Sequence, residues 1–428
     1  MRTPSWIVLS LVCGCVGYAG CVGTRTGNPG AMVPDGVELA QSELARITDP
    51  QLSAADGSTF GKDNRSFTFD LYGELSKKPG NLFYSPYSIS TALAMTYAGA
   101  RTETATEMEQ ALHFSLGQNT LHTAFNATDI ALGKRKTELS GNSERPQTGN
   151  GFELTLVNQA WGRKGYTFLD SYLDVLGQNY GAGLFLLDFG QSEKARTTIN
   201  AWVQEQTRDR IKDLLPVNSI NGSTALVLTN AIYFKASWQQ TFDKSKTTPG
   251  TFRADTGEVS VDMMHNETKL DYAAVGGVEM LSLPYVSTNV AMLLILPPEG
   301  ELALDVETFD ALQGMLSERF VTLSLPKWSF ESENPLKEPL MALGMEAAFG
   351  AADFSGMDGQ GGLYIDEVYH KAFVAVDEEG TEAAAATAVA LQESASPPVT
   401  LTFDRPFLFA IYDKPTSQVL FFGRVAKP

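Results

Sequence analysis

Residues 375–398, AVDEEGTEAAAATAVALQESASPP, constrain the fold more than any other part of the chain. Three acidic residues and a glycine lead into a run of alanine, threonine and valine that ends on two prolines. The stretch is too short and too polar at its ends to span a membrane. Taken as a strand with a two-residue period, one face carries Thr381, Ala383, Ala385, Thr387, Val389 and Leu391. The other carries Glu382, Ala384, Ala386, Ala388, Ala390 and Gln392. Neither face is bulky before Val389, and no proline blocks a hydrogen-bond ladder before Pro397. Side chains this small let a segment slide between two existing strands. Gly380 at its head offers a backbone pivot, and the strand-like HKAFVAV precedes it. Alanine also favours helix, so composition alone leaves an exposed helix or a slack linker equally open.

The remainder has material for a large core, with 428 residues of which 43% are hydrophobic and 10% aromatic. A net charge of −18 argues against nucleic acid or an anionic membrane surface as partner. The one basic cluster, Lys134-Arg135-Lys136, sits in a polar stretch and reads as a solvated loop. The three cysteines are Cys13, Cys15 and Cys21, so the body has no disulfide, thiolate nucleophile or cysteine metal site.

Those cysteines lie in a leader. MRTPSWIVLSLVCGCVGYAGC has Arg2, an apolar run over 6–16 and small residues before Cys21, which predicts a secretory signal peptide over 1–20. YAGC resembles a bacterial lipobox, with Tyr18 where leucine is usual, and would make Cys21 the lipidated first mature residue. Cys15 is a second candidate, and ordinary cleavage would leave Cys21 a free thiol. Residues 21–59, Gly/Pro-rich in VGTRTGNPGAMVPDG, are predicted to be a tether. The expected location is extracellular or periplasmic, with membrane contact only through that anchor.

Helical patterns crowd the first half. Ser85-Pro86 is a helix start, followed by Ile89, Leu93 and Tyr97 at helical spacing and Gly99 as a stop. Thr104 and Glu107 have capping-box spacing for a next helix. FELTLVNQAW alternates as a strand, and TALVLTNAIYF reads as a strand covered on both faces. From EVSVDMM to QVLFFGRV strands dominate. This order predicts an α+β body in one interlocked domain.

Catalytic patterns are missing from the sequence. His113, His122, His265 and His370 make no HExxH motif and no metal-ligand pair, and there is no GxSxG elbow or phosphate-binding GxxxxGK[ST] loop. The reading is of a protein that is not an enzyme and takes no cofactor and no metal.

DEEGTEAAAATAVA resembles the hinge and reactive-centre loop of the serpins, in the inhibitory pattern: Glu378, Gly380, Thr381, Glu382, the small residues Ala383, Ala384, Ala385 and Ala386, then Thr387. NLFYSPYSISTALAMTYAGARTET, LTNAIYFKASWQQTF, LPKWSF, YHKAFVAVDEEGTEA and DRPFLFAIYD follow the family's order, so the resemblance covers 60–428. It implies helices packed on a large mixed main β-sheet, two further sheets, and an exposed reactive-centre loop over about 378–398. It also implies a monomer that inhibits a serine protease as a suicide substrate: the loop is cut, an acyl-enzyme forms, and the freed arm enters the main sheet. A non-inhibitory serpin, acting as a binding or cleavable substrate protein, is the alternative. Ser85, Ser88, Asn230 and His370 match the family's shutter under that sheet. Trp238, Lys327 and Glu378 match its breach, where the loop enters, with Lys327 and Glu378 as an ion pair. Counting from Glu378 by the inhibitory spacing puts the reactive bond between Ser394 and Ala395, with Glu393 to Ser394 and Ala395 to Ser396 as alternatives. Small residues there suit an elastase- or subtilisin-like protease, and Glu393 a glutamate-specific one. No Lys or Arg occurs between Lys371 and Arg405, which disfavours trypsin-like targets.

Overall fold

The structure is a computed structural model that describes residues 33–138, 152–286, 289–381 and 398–428. Its first half contains β1 (Glu38–Ala40), α1 (Ala54–Leu75), β2 (Leu82–Tyr84), α2 (Pro86–Tyr97), α3 (Thr102–Ala111), α4 (Gln118–Glu138), β3 (Phe152–Arg163), α5 (Asp170–Val175), β4 (Leu184–Leu187) and α6 (Ser192–Gln206). Strands then take over with β5 (Leu226–Ser237), β6 (Thr248–Ala254), β7 (Gly257–Val275), β8 (Val278–Pro284) and β9 (Val290–Leu296), before α7 (Val306–Met315). After β10 (Ser317–Pro326) and β11 (Trp328–Pro335) come α8 (Lys337–Ala342), a short α9 (Ser355–Asp358) and β12 (Ile365–Asp377). The chain closes with β13 (Gly380–Thr381), β14 (Val399–Thr402), β15 (Phe407–Asp413) and β16 (Gln418–Val425).

The main sheet is mixed and runs β1-β4-β3-β5-β13-β12-β11. The other runs β14-β10-β7-β8-β9-β15-β16-β2, with β6 also on β7. The two further sheets implied by the sequence are thus continuous. The reason is the length of β7, whose 19 residues pair successively with β6, β10 and β8.

Between the sheets lies α2, buried along almost its whole length. Ser85 starts it as predicted, its Oγ accepting from the Ser88 amide with Pro86 in the first turn. Gly99 permits close packing after its end, since a Cβ there would come 2.1 Å from Met357 Cγ.

Three expectations change. Thr104 and Glu107 do not cap α3. They accept hydrogen bonds from the Asp353 amide at 2.9 Å and the Ala347 amide at 2.6 Å, so tertiary backbone donors take the groups a capping box would use. Arg135 is not in a solvated loop. It lies in α4, buried, with Nε 2.8 Å from Asp413 Oδ1. The tether does not extend to residue 59. Glu38–Ala40 adds to the edge of β4, Arg46 Nη2 meets Asp129 Oδ2 at 2.6 Å, the Ile47 amide donates to Gln178 O, and Ser53 caps α1. From residue 38 onward the segment is held by paired backbone and charge, and so belongs to the body. The leader and Cys21 lie outside the described residues.

Candidate functional site: a parted seam in the main sheet

The site forms where β12 turns back on itself. Asp377 pairs with Gly380 across a two-residue turn, and Asp377 Oδ1 accepts from the Glu379 and Gly380 amides at 2.9 and 3.3 Å. The chain leaving that turn passes between β12 and β5. Thr381 pairs with Val376 on one side and Ala236 on the other, both antiparallel. Below, β5 and β12 pair directly and in parallel as far as Ala372 with Ile232. The seam is therefore zipped at the bottom and already opened at the top by two residues of the predicted hinge. Gly380 makes this possible. Its φ is +153°, and a Cβ would lie 2.1 Å from Ala236 O and 2.7 Å from Ser237 Cα.

Trp238, Lys327 and Glu378, the residues that the resemblance matches to a breach, meet at this opening. Trp238, fully buried, donates from Nε1 to Asp377 O at 3.0 Å and from its amide to Glu379 O at 3.0 Å. Its ring stacks on Tyr285 at 4.7 Å between centroids, with 12° between planes. Lys327 Nζ is 3.0 Å from Glu378 Oε2, and Thr247 Oγ1 donates to Glu378 Oε1 at 2.8 Å. Burial alone would raise the Glu378 carboxyl, but its own amide, Thr247 and Lys327 outweigh that and hold it below the usual value. Glu379 pairs with Lys244. Thr381 Oγ1 meets the buried Tyr285 hydroxyl at 2.8 Å.

A polar network spans the zipped part, built from the residues that the resemblance matches to a shutter. The Ser85 amide donates to His370 Nε2 at 3.1 Å, so Nε2 is the acceptor and Nδ1 carries the proton, donating to Asn230 Oδ1 at 2.5 Å. Asn230 Nδ2 donates to Ser88 Oγ at 2.7 Å and to Asn158 Oδ1 at 2.6 Å. Ser88 Oγ donates to Asn158 Oδ1 at 2.8 Å, and Ser85 Oγ to Leu420 O at 2.6 Å. Full burial lowers His370 to about 3, so the ring is neutral and the network is one of dipoles. His370 and Asn230 are register partners on β12 and β5. Their hydrogen bond thus crosses the seam itself.

Ser85, Ser88, Asn230 and His370 lie together in one hydrogen-bonded network, and Trp238, Lys327 and Glu378 lie together at the top of the seam. Of the hinge, Glu378, Gly380 and Thr381 are described. Glu382, Ala383, Ala384, Ala385, Ala386 and Thr387, and the reactive-bond candidates Glu393, Ser394, Ala395 and Ser396, lie outside the described residues. Sequence reasoning missed Asn158, Tyr285 and Thr247. A lone asparagine inside the apolar strand FELTLVNQAW is the one available signal for Asn158. Nothing local marks the other two.

The comparisons agree with this architecture. A profile of the family described as Serpin (serine protease inhibitor) matches residues 62–428. An uncharacterized serpin-like protein of Thermococcus kodakarensis is 40% identical over 373 residues, covering 85% of this chain and 84% of its own. Leukocyte elastase inhibitor of Xenopus laevis is 36% identical over 380 residues, covering 85% and 97%. Among solved structures, the native state of the thermophilic serpin tengpin has a TM-score of 0.78 at 28% identity, covering 91% of this chain and all (100%) of that one. Uncleaved ovalbumin has 0.72 at 27%, covering 86% and 100%.

Proposed function

Because this chain belongs to the serpin family, we propose that it inhibits a serine protease as a one-use trap, by inserting its cut loop between β5 and β12. The observation that carries this is the position of β13, in the sheet between those two strands. A cut arm that kept this register would lay residues 382–391 opposite 226–235 of β5. Thr387 would then come between Asn230 and His370 and replace the hydrogen bond that crosses the seam. Thr381, Ala383, Ala385, Thr387, Val389 and Leu391 would share the inner face with Phe234, Ile232 and Leu228, where room is scarce. Glu382 would stand on the outer face beside Lys235, half in solvent. The smallness of the arm follows from this fit.

An acyl-enzyme carried on the arm would travel about 40 Å, for about thirteen residues at ~3.3 Å each. Roughly ten new ladder hydrogen bonds at ~1 kcal/mol each would drive it, before apolar burial is counted. The uncut state is then metastable and held by a barrier. The target is taken to be elastase- or subtilisin-like, or glutamate-specific, from the residues at 393–396 and the lack of Lys or Arg between 371 and 405. The proposal includes a monomer held at the cell envelope through lipidated Cys21, for which a Cys21→Ala chain would leave the detergent phase in a phase-separation assay.

The test is to mix the protein with a panel of such proteases. A complex that survives SDS, with the released peptide mapping the bond by mass spectrometry, is the expected result. Thr381→Arg, which would force a charge into a site 1% exposed, should be cleaved without forming the complex. Cleavage of the unaltered chain with no covalent product would contradict the proposal.

A further inference from the structure

The geometry at the head of the seam points to a residue that no part of the sequence comparison assigns. We propose that the Tyr285 hydroxyl is the catch that seats the hinge and fixes its register before any protease arrives. Tyr285 is fully buried at the end of β8, bridged to Trp238 across the gap between the sheets and stacked on its ring. Its hydroxyl meets Thr381 Oγ1 at 2.8 Å, and Thr381 is itself buried. Burial raises the phenol well above its ordinary value, so it stays neutral and able to donate at any working pH.

The contact reports register as well as presence. Thr381 reaches Tyr285 only while it stands opposite Ala236 and Val376. A slip of one residue turns its side chain to the other face. A slip of two that draws the arm outward brings Ala383 to the hydroxyl, and an alanine side chain cannot hydrogen-bond it. Withdrawal of the hinge would leave a buried phenolic O–H facing an open seam, and that group would need a new partner. Tyr285 therefore acts on the hinge through Thr381. It is a positioning residue for insertion, not a contact of the protease.

Tyr285→Phe keeps the ring and its stack on Trp238 and removes only the hydroxyl. Thr381→Val removes the other half of the pair at nearly constant volume. Hydrogen–deuterium exchange of the segment 377–381 in the uncut protein should be about fivefold faster in each variant, the equilibrium equivalent of one ordinary hydrogen bond. The double variant should be no faster than either single, because both delete one contact. This part stands whether or not the chain is an inhibitor. A second readout rests on the trap reading: more molecules should be cleaved per protease trapped, at an unchanged rate of loop cleavage. Unchanged exchange in Tyr285→Phe, or a double variant whose effects simply add, would overturn the catch. If the unaltered protein traps no protease, the trap reading fails and the exchange result still decides the role of Tyr285.

Discussion

His370 is the residue on which the closed sheet turns. It is 1% exposed, accepts from the Ser85 amide on one nitrogen and donates to Asn230 with the other, so a second proton has no acceptor to meet. Burial lowers its titration from the usual 6.5 to about 3. His122, buried and 2.7 Å from the Tyr180 hydroxyl through Nδ1, is lowered to about 4. In both cases the unfolded chain takes up a proton that the folded one refuses. Their stabilising effect is complete above about pH 6.5. As pH falls it drains away, down to about 4 for His122 and about 3 for His370. Each histidine should cost up to about 1.4 kcal/mol per pH unit inside its window. Urea unfolding should therefore be insensitive to these two groups between pH 8 and 7 and shift to lower midpoints at pH 6 and 5. A midpoint that stays put down to pH 5 would mean that neither ring is held neutral by the fold.

At the scale of elements, the seam is braced from outside. α6 packs its Ile199, Trp202 and Val203 onto β3, β4 and β5, with Trp202 edge-on to Trp161 at 5.3 Å. The segment after it crosses to β12, where Lys371 Nζ donates to Lys212 O at 3.1 Å and Arg210 lies 5.7 Å over the Phe373 ring. One brace thus spans both strands that an entering arm must separate, and a new strand needs about 4.8 Å of extra width. Lys371→Ala should loosen it. If the chain is the trap proposed above, the variant held at a moderately elevated temperature should lose its capacity to trap protease severalfold faster than the unaltered chain, without a change in its initial capacity. Equal rates of loss would show that the brace does not limit insertion. Much of this scale was legible in the sequence, and for physical reasons. Ser85 and Pro86 mark the start of α2 because capping is local, and the unbroken apolar TALVLTNAIYF marks β5 because both its faces are covered. Small side chains alone left the stretch after Gly380 open between strand, helix and linker, and only the family resemblance named it a hinge. What failed depended on distant partners. Thr104 and Glu107 had capping spacing, yet the loop around 347–353 claimed them. Arg135 looked solvated until Asp413, at the far end of the chain, came beside it. No local pattern announces that Thr381 finds Tyr285, or that the hinge is already two residues inside the sheet.

On the proposed trap reading, the whole molecule is an arrangement with spare energy. Its seven-stranded main sheet holds β13 as a wedge two residues long, above a pairing of β5 and β12 that β13 does not reach. Continuing that wedge would replace one parallel pairing by two antiparallel ones and fill the seam with residues chosen for small volume. The gain of roughly 10 kcal/mol from about ten ladder bonds would be spread over an unfolding entropy of ~2.1 cal/mol/K per residue. Across the residues 62–428 that carry the family match, this corresponds to a rise in melting temperature on the order of 10 °C. The most direct measurement is thermal unfolding of the intact chain beside the same chain nicked once within 393–396, scanned at one rate. Nicked protein that melts about 10 °C higher or more is the expected result. Nicked protein that melts at or below the intact temperature would mean that the arm does not enter the sheet.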